Sequence, residues 1–456
     1  MAAPFNPLDC AQAVLKRAVK EGVAACEISV RRDSELEIHV LEGNVVSLRQ
    51  STNGSAMVRL WRDDGYALAH SRELSEDGLH AVLEKAMAWA EEDHSHKIAP
   101  VLAGQTRLTD VEIFDPQILS MTPQDKINYI QEVEKQARGY GPRIKHVQDA
   151  VYLDRVRQTA LVTSKGFAGE YPETLFGGQL SVTAAAGDNV IASTGGCWRR
   201  FFADMAPPAA LAETACSTAL MLISARPCFS GEYGIVFDGA TAAPALLEAT
   251  LAEALRADLI ANGQSVLASA AAAVPAANAV TVIHDPGQVR GVMSRPFDDE
   301  GTVSSRVALI QEGKFLAPLD GRETAAAAKR KPAGSAVWFA DAPVPRPAPV
   351  NLVLAPGKQT REQLIAGIGQ GILASQLTVG GVDLQTGKCA LSLAGRMIRG
   401  GEVAEPVSDV LLMMDFLELW RRVDAVGSDL SPSSGRWPSP VSSPSFRVTG
   451  LRITGR

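Results

Sequence analysis

From Ala25 to Ser71 the chain reads ACEISVRRDSELEIHVLEGNVVSLRQSTNGSAMVRLWRDDGYALAHS. Apolar and polar residues alternate through it with a period of two. That period suits a strand with one buried face, so the stretch calls for antiparallel strands. Turns are expected at Glu42-Gly43-Asn44, Asn53-Gly54 and Asp64-Gly65. Before this meander, Ala11, Val14, Leu15, Ala18 and Val19 share one helical face. After it, SEDGLHAVLEKAMAWAEE reads as an amphipathic helix with Ser75 as its N-cap.

The same order then recurs. TPQDKINYIQEVEKQARGY predicts a helix capped by Thr122, with Pro123 in its first turn. Strand-like KHVQDAVYLDRVRQTALVTSKGF and TLFGGQLSVTAAAGDNVIASTGGCWRRFFAD follow, then a helix over AALAETACSTALMLISARP. Two helix–strands–helix blocks in sequence suggest an internal duplication. A third region opens with a strand at SGEYGIVF that enters a long helix, ended by Asn262-Gly263. Beyond it the chain is mostly strand-like. The segment DVLLMMDFLELWRRVDAVG reads as a helix, and GIGQGILAS falls in a helix-like stretch. SPSSGRWPSPVSSPS reads as an exposed loop. The expected class is α+β, with domains over 1–96, 118–226 and 230–456, the last β-rich.

Charge and composition narrow the functions. The 456 residues carry a net charge of −7, and the short AKRKP run is isolated, which argues against nucleic-acid binding. No apolar run reaches the length of a membrane span, and the first residues read as no signal peptide. Six scattered cysteines without a C-x-x-C pair read as reduced thiols, and the expected compartment is the cytoplasm. His94-Ser95-His96 has metal-ligand spacing, but in a charged helix end it reads as solvated. No P-loop, nucleophile elbow or His-Glu-x-x-His is present.

One feature resists a bland reading. In GVMSRPFDDEGTVSSRVALIQEGKFL, Arg295, Pro296 and Phe297 lead into Asp298, Asp299, Glu300 and Gly301. Three adjacent carboxylates between strand-like flanks repel one another unless cations or backbone N–H groups sit against them. Arg295 and Arg306 are the candidate partners, and Glu312-Gly313 the expected turn of a following hairpin.

This stretch, with VTVIHDP before it, resembles the TldD/PmbA family, and the resemblance runs nearly the whole length. VLEGNVVSLRQSTNGSAMVRLWRDDGYALAHSRELSEDGL is similar to the family's first domain, and LQTGKCALSLAGRMIRGGEVAEPVSDVLL with VDAVGSDL to its C-terminal signature. The resemblance implies a cytoplasmic zinc metallopeptidase made of two subunit types. A TldD subunit carries a His-Glu-x-x-x-His helix and a late cysteine ligand; a PmbA or TldE subunit keeps the fold without them. Placed on the family pattern, the metal-helix positions fall at Glu248, Ala249 and Glu253. Ala249 cannot deprotonate a metal-bound water. The late cysteine is replaced within DLSPSSGRWPSPVSSPS.

The resemblance therefore implies a PmbA/TldE-type chain, inactive alone and without its own metal cofactor. A TldD-like partner would supply zinc, and a peptide would be the substrate. A homodimer is the other assembly considered. Arg295 to Gly301 are the expected substrate-channel residues, shaping a groove or bonding main-chain amides. KRKPAGSAVWFADAPVPRPAP departs from the family pattern and weakens expectations about substrate contacts from Gly334 to Arg346. The alternatives are a free-standing enzyme of this fold in peptide natural-product maturation, and a peptide-binding regulator without hydrolytic activity.

Overall fold

The computed structural model describes residues 6–23, 25–62, 65–90, 108, 110–269, 273–339, 344–431 and 435–455. Both early blocks appear: α1 (Pro7–Lys20), β1 (Ala25–Leu41), β2 (Asn44–Arg62), β3 (Gly65–Ser71) and α2 (Glu76–Ala90), then α3 (Pro123–Arg138), β4 (Ile144–Thr163), β5 (Ala168–Ala186), β6 (Asn189–Arg199) and α4 (Pro208–Ile223). Their strands join into one six-stranded sheet in the order β3-β2-β1-β4-β5-β6. The join is the antiparallel β1–β4 pair, in register from Glu27 opposite Thr163 to Val40 opposite Ala150.

Period-two alternation sorts this sheet's faces. Ile28, Val30, Ile38 and Val40 of β1 and Tyr152 and Ala160 of β4 are fully buried, and the same face receives α1 to α4. Val14 and Leu83 pack over one half of the sheet, Ile130 and Leu211 over the other. The alternate residues of β1 and β4, among them Arg31, Arg155 and Arg157, point to the opposite face and into a cavity. Helix α3 starts as its sequence suggests: Thr122 and Asp125 form a reciprocal capping box. Val19 is 55% exposed, so the buried stripe of α1 is narrower than its apolar spacing implies.

The C-terminal region holds a seven-stranded and a five-stranded sheet. Gly231–Phe237, Gln370–Val382, Lys388–Arg399 and Glu402–Asp415 are consecutive neighbours in the larger one. The smaller includes Val282–His284, Val307–Gln311, Leu352–Leu354 and Val441–Ser442. A helical segment starting at Ala242 fills one core with side chains from both sheets, through Leu246, Leu247 and Leu251 packed among Trp420 and Phe446. The Trp420 indole N–H donates to Thr250 Oγ1 at 3.0 Å, which satisfies a buried polar group inside that core.

Several local expectations give way. Asn53-Gly54 makes no turn, because β2 runs straight through it with Gly54 opposite Arg32. A Cβ at Gly54 would come within 2.5 Å of the Leu74 side chain, so the glycine serves close packing. Asp64 lies outside the described residues, as do His94 and His96. GIGQGILAS enters a central strand rather than a helix, and a Cβ at Gly371 would meet the Gly234 carbonyl oxygen at 2.3 Å. DVLLMMD is also strand; only Phe416–Arg421 is helical. The long helix expected to end at Asn262-Gly263 is interrupted: Ala242–Leu247 is α-helical, Glu248–Ala252 is a π turn, and a new short helix begins at Ala257. The hairpin at Glu312-Gly313 is present, with both residues at positive φ.

Candidate functional site

A cavity of about 420 Å³ lies between the open face of the six-stranded sheet and the C-terminal region. It gathers the two parts of the chain that the sequence nominated, Glu248 and Glu253 from the helical segment and Arg295 and Asp299 from the acidic stretch. Its sheet wall is a row that the sequence reading passed over. Arg155 and Arg157 of β4, Arg31 of β1, and Tyr171 and Glu173 of β5 all face it. Cross-strand register sets this row, because Asp33, Arg157 and Glu173 lie directly opposite one another on β1, β4 and β5. The signal was present in RVRQT and RRDSE as charges spaced two apart.

The acidic stretch is buried: Asp298 is 1% exposed, Asp299 8% and Glu300 6%. Burial of three carboxylates is tolerated because each is engaged. Asp298 Oδ1 accepts the amides of Glu300 and Thr302 at 2.9 Å each, and its Oδ2 accepts Ala336 N–H at 3.0 Å. Asp299 Oδ2 accepts Trp338 N–H at 2.7 Å, while its other oxygen pairs with Arg31 and lies 3.8 Å from Arg295. Glu300 Oε2 accepts Arg322 N–H at 2.7 Å. Gly301 closes the turn at φ +79, a backbone region that favours glycine. Ahead of it, Pro296 accepts the Ser304 amide at 3.0 Å. Phe297 is set edge-on against Phe167 and Tyr171, with centroids 5.2 and 5.1 Å away.

The expected partner Arg306 is not used; it is exposed and reaches Asp285 at 3.8 Å. Arg31, Arg59 and Arg322 do that work. Arg59 donates to the Asp299 carbonyl at 3.1 Å and Arg322 to that of Glu300 at 3.3 Å. Both guanidiniums also pair with Glu27 of β1, itself 1% exposed. The loop is thereby clamped onto the N-terminal sheet. Burial and neighbouring Asp298 push the Glu300 carboxyl up to about 7, against Arg322 and Arg59. At Asp299 burial also acts upward, but Arg31 and Arg295 outweigh it and hold this carboxyl below its usual range.

The other end of the cavity is built differently. Positions five apart on an α-helix point about 140° away from each other. The π turn over Glu248–Ala252 closes i→i+5 and brings Glu248 and Glu253 to the same cavity. Glu248 accepts a hydrogen bond from Ser439 Oγ at 2.9 Å, and burial pushes its carboxyl up. Glu253 is paired with Arg256 at 3.0 Å. Ala249 offers no proton acceptor. Zinc accepts a carboxylate oxygen as one ligand, but its sites draw their selectivity from imidazole and thiolate. Two carboxylates, one already neutralised by arginine, and a serine hydroxyl do not fit that ion. Among the described residues no group of three His, Cys, Asp or Glu is arranged to hold a metal.

Ser439 belongs to the Ser/Pro segment expected to be an exposed loop. Its described part is instead a strap against the core: Ser443 and Ser445 are fully buried and Val441 is 2% exposed. Trp437 stacks on Trp198 of β6 at 6.4 Å between centroids, and the Trp198 indole donates to the Arg436 carbonyl at 3.1 Å. Pro438 borders the main cavity and two adjoining ones of about 220 and 390 Å³. The segment Gly334 to Arg346 contributes the short Ala336–Val337 ladder with Arg346–Pro347, and Val337, Trp338 and Phe339 line the cavity. All six cysteines are free thiols. Among the described residues no helix is long and apolar enough to cross a membrane.

Comparison with known proteins gives this arrangement a family. Profiles for the PmbA/TldA metallopeptidase domain 1, central domain and C-terminal domain match residues 26–90, 116–223 and 230–455. A protein of Methanothermobacter thermautotrophicus named as a metalloprotease is 32% identical over 283 residues, 61% of this chain and 62% of that one. The match therefore spans less than two thirds of that relative's length. Metalloprotease PmbA of Escherichia coli is 20% identical over 93% of this chain and 92% of its own. The crystal structure of TldE from Thermococcus kodakarensis superposes with a TM-score of 0.88 at 17% identity, covering 98% of this chain and 100% of that one. At that identity the likeness speaks for the fold. With three consecutive domain profiles matched in order, the chain belongs to the PmbA/TldD metallopeptidase family.

Proposed function

We propose that this chain is the non-catalytic, TldE/PmbA-like subunit of a cytoplasmic zinc metallopeptidase complex. In it, a TldD-like partner supplies the metal and the general base, and this chain contributes the interface and part of the peptide channel. The observation that carries the reading is the π turn at Glu248–Ala252. It brings positions five apart to one cavity, the spacing of the family's two histidines, yet those positions hold Glu248 and the arginine-paired Glu253. Between them Ala249 leaves no base to deprotonate a water. Two positions at the family's spacing on one cavity, holding no imidazole, support a subunit without its own metal. The cavity persists, walled by Trp338, Val337 and the strap, and its volume lies in the range of small-ligand sites.

The test is reconstitution. The purified chain and a TldD-type subunit are assayed alone and mixed, with short unstructured peptides and a chelator control. The expected result is co-elution of the two chains, with chelator-sensitive hydrolysis by the mixture and none by this chain alone. Chelator-sensitive turnover by this chain alone would instead favour the free-standing enzyme.

A further inference from the structure

Around Glu173 three guanidiniums converge on one buried carboxylate: Arg200 at 3.4 Å, Arg157 at 3.8 Å and Arg155 at 3.9 Å. Arg157 is otherwise satisfied by a two-bond fork to Asp33 at 2.6 and 2.9 Å. Arg200 donates to the carbonyls of Thr174, Gly291 and Ser294 at 3.0 to 3.2 Å. Arg155 has neither kind of partner. Among the described residues its side chain makes no hydrogen bond, its Nε is buried without an acceptor, and its one ion-pair contact is the 3.9 Å approach to Glu173. Three guanidiniums share the two carboxylates Glu173 and Asp33, and Glu35, opposite Arg155 across the β1–β4 pair, forms no ion pair with it. About a quarter of that side chain remains open, on the cavity wall. Burial pushes its pKa down and Arg157 adds to the effect, while Glu173 and Asp33 act against it.

A guanidinium with an unfilled fork matches a carboxylate in two-bond geometry. Leu175, opposite Arg155 on β5, and Val292, Val337 and Trp338 give the cavity apolar wall beside its charged groups. An acidic headgroup with an apolar or main-chain body is therefore the complementary ligand. From this geometry we infer that Arg155 captures the free C-terminal carboxylate of a short peptide lying in the cavity. The choice of a peptide over another carboxylate rests on the peptide-processing reading above; the anion site itself does not.

Binding to the isolated chain tests this without any partner subunit, so its failure is separable from failure of the complex. The probes are acetyl-Ala-Val-Phe as the free acid and as the C-terminal amide, with sodium acetate as the small-carboxylate control, followed by calorimetry. One charge-assisted contact to an arginine predicts the acid to bind about tenfold or more tighter than the amide. Arg155→Gln should abolish that difference and Arg155→Lys should retain part of it. The acid-to-amide ratio in the unmodified chain needs no variant, so a folding defect in either substitution leaves the test intact. Equal affinity for acid and amide, an undiminished difference in Arg155→Gln, or binding of neither peptide would overturn the inference. Acetate binding as tightly as the peptide acid would overturn the assignment to peptides.

Discussion

Asp299 of the acidic loop and Glu248 of the helical segment border the same cavity under opposite conditions. In the acidic loop, Asp298 alone accepts three backbone amides, and Asp299 and Glu300 are held by arginines from both halves of the chain. On the helical segment, Glu248 has one serine hydroxyl. A satisfied buried carboxylate is structure, and removing it leaves its partners stranded. A carboxylate with one neutral partner at a cavity wall is replaceable. The contrast explains why the most conspicuous acidic motif in the sequence is a clamp, while the quieter Glu248 on the helical segment stands replaceable at the cavity wall.

The clamp should break hardest at its centre. Glu27→Ala removes the shared anion of Arg59 and Arg322, all three of them at most 2% exposed, and should cost about 3–5 kcal/mol in urea unfolding. A loss below about 1 kcal/mol would mean that water replaces the pair. Asp298→Ala comes next, because it strands three amides; about 2–4 kcal/mol is expected, with Asp298→Asn milder.

Glu300 gives a pH signature. Its folded carboxyl is raised from 4.5 to about 7, so the folded state keeps this proton where the unfolded chain has lost it. Its contribution is then greatest below about pH 4.5, declines as pH rises towards 7, and stays low above that. Glu300→Gln removes that decline. The variant's stability relative to the parent should thus rise between pH 5 and pH 8, by on the order of 1 kcal/mol or more. A pH-independent difference would contradict the assignment. Glu248→Gln should be the smallest, within about 0.5 kcal/mol at pH 7, because a glutamine oxygen can still accept from Ser439. Burial favours its uncharged form, so the sign should be neutral or stabilising; a loss of several kcal/mol would make Glu248 part of the frame.

Strand alternation, the capping of α3 and the family motifs were legible because each is a local pattern. What escaped depends on neighbours distant in sequence. From Gln370, GIGQGILAS becomes a central strand with residues 371–374 all buried, and such strands lose their alternation and read like helices. DVLLMMD alternates in burial, yet its outward residues are also apolar, with Met413 68% exposed. The Ser/Pro strap looked solvated by composition, but it is fixed by Trp198 and the core. The π turn left no compositional trace. Its one clue was the five-residue spacing of the family motif, which a regular α-helix cannot bring to one face.

Metal content of the isolated chain bears most directly on the contrast. The protein, purified alone, loaded with excess zinc and desalted, is analysed by mass spectrometry of the metal beside a peptide-hydrolysis assay. The account predicts well under one zinc per chain and no chelator-sensitive hydrolysis. One tightly held zinc per chain, lost on replacing Glu248 and Glu253 together with loss of hydrolysis, would contradict it.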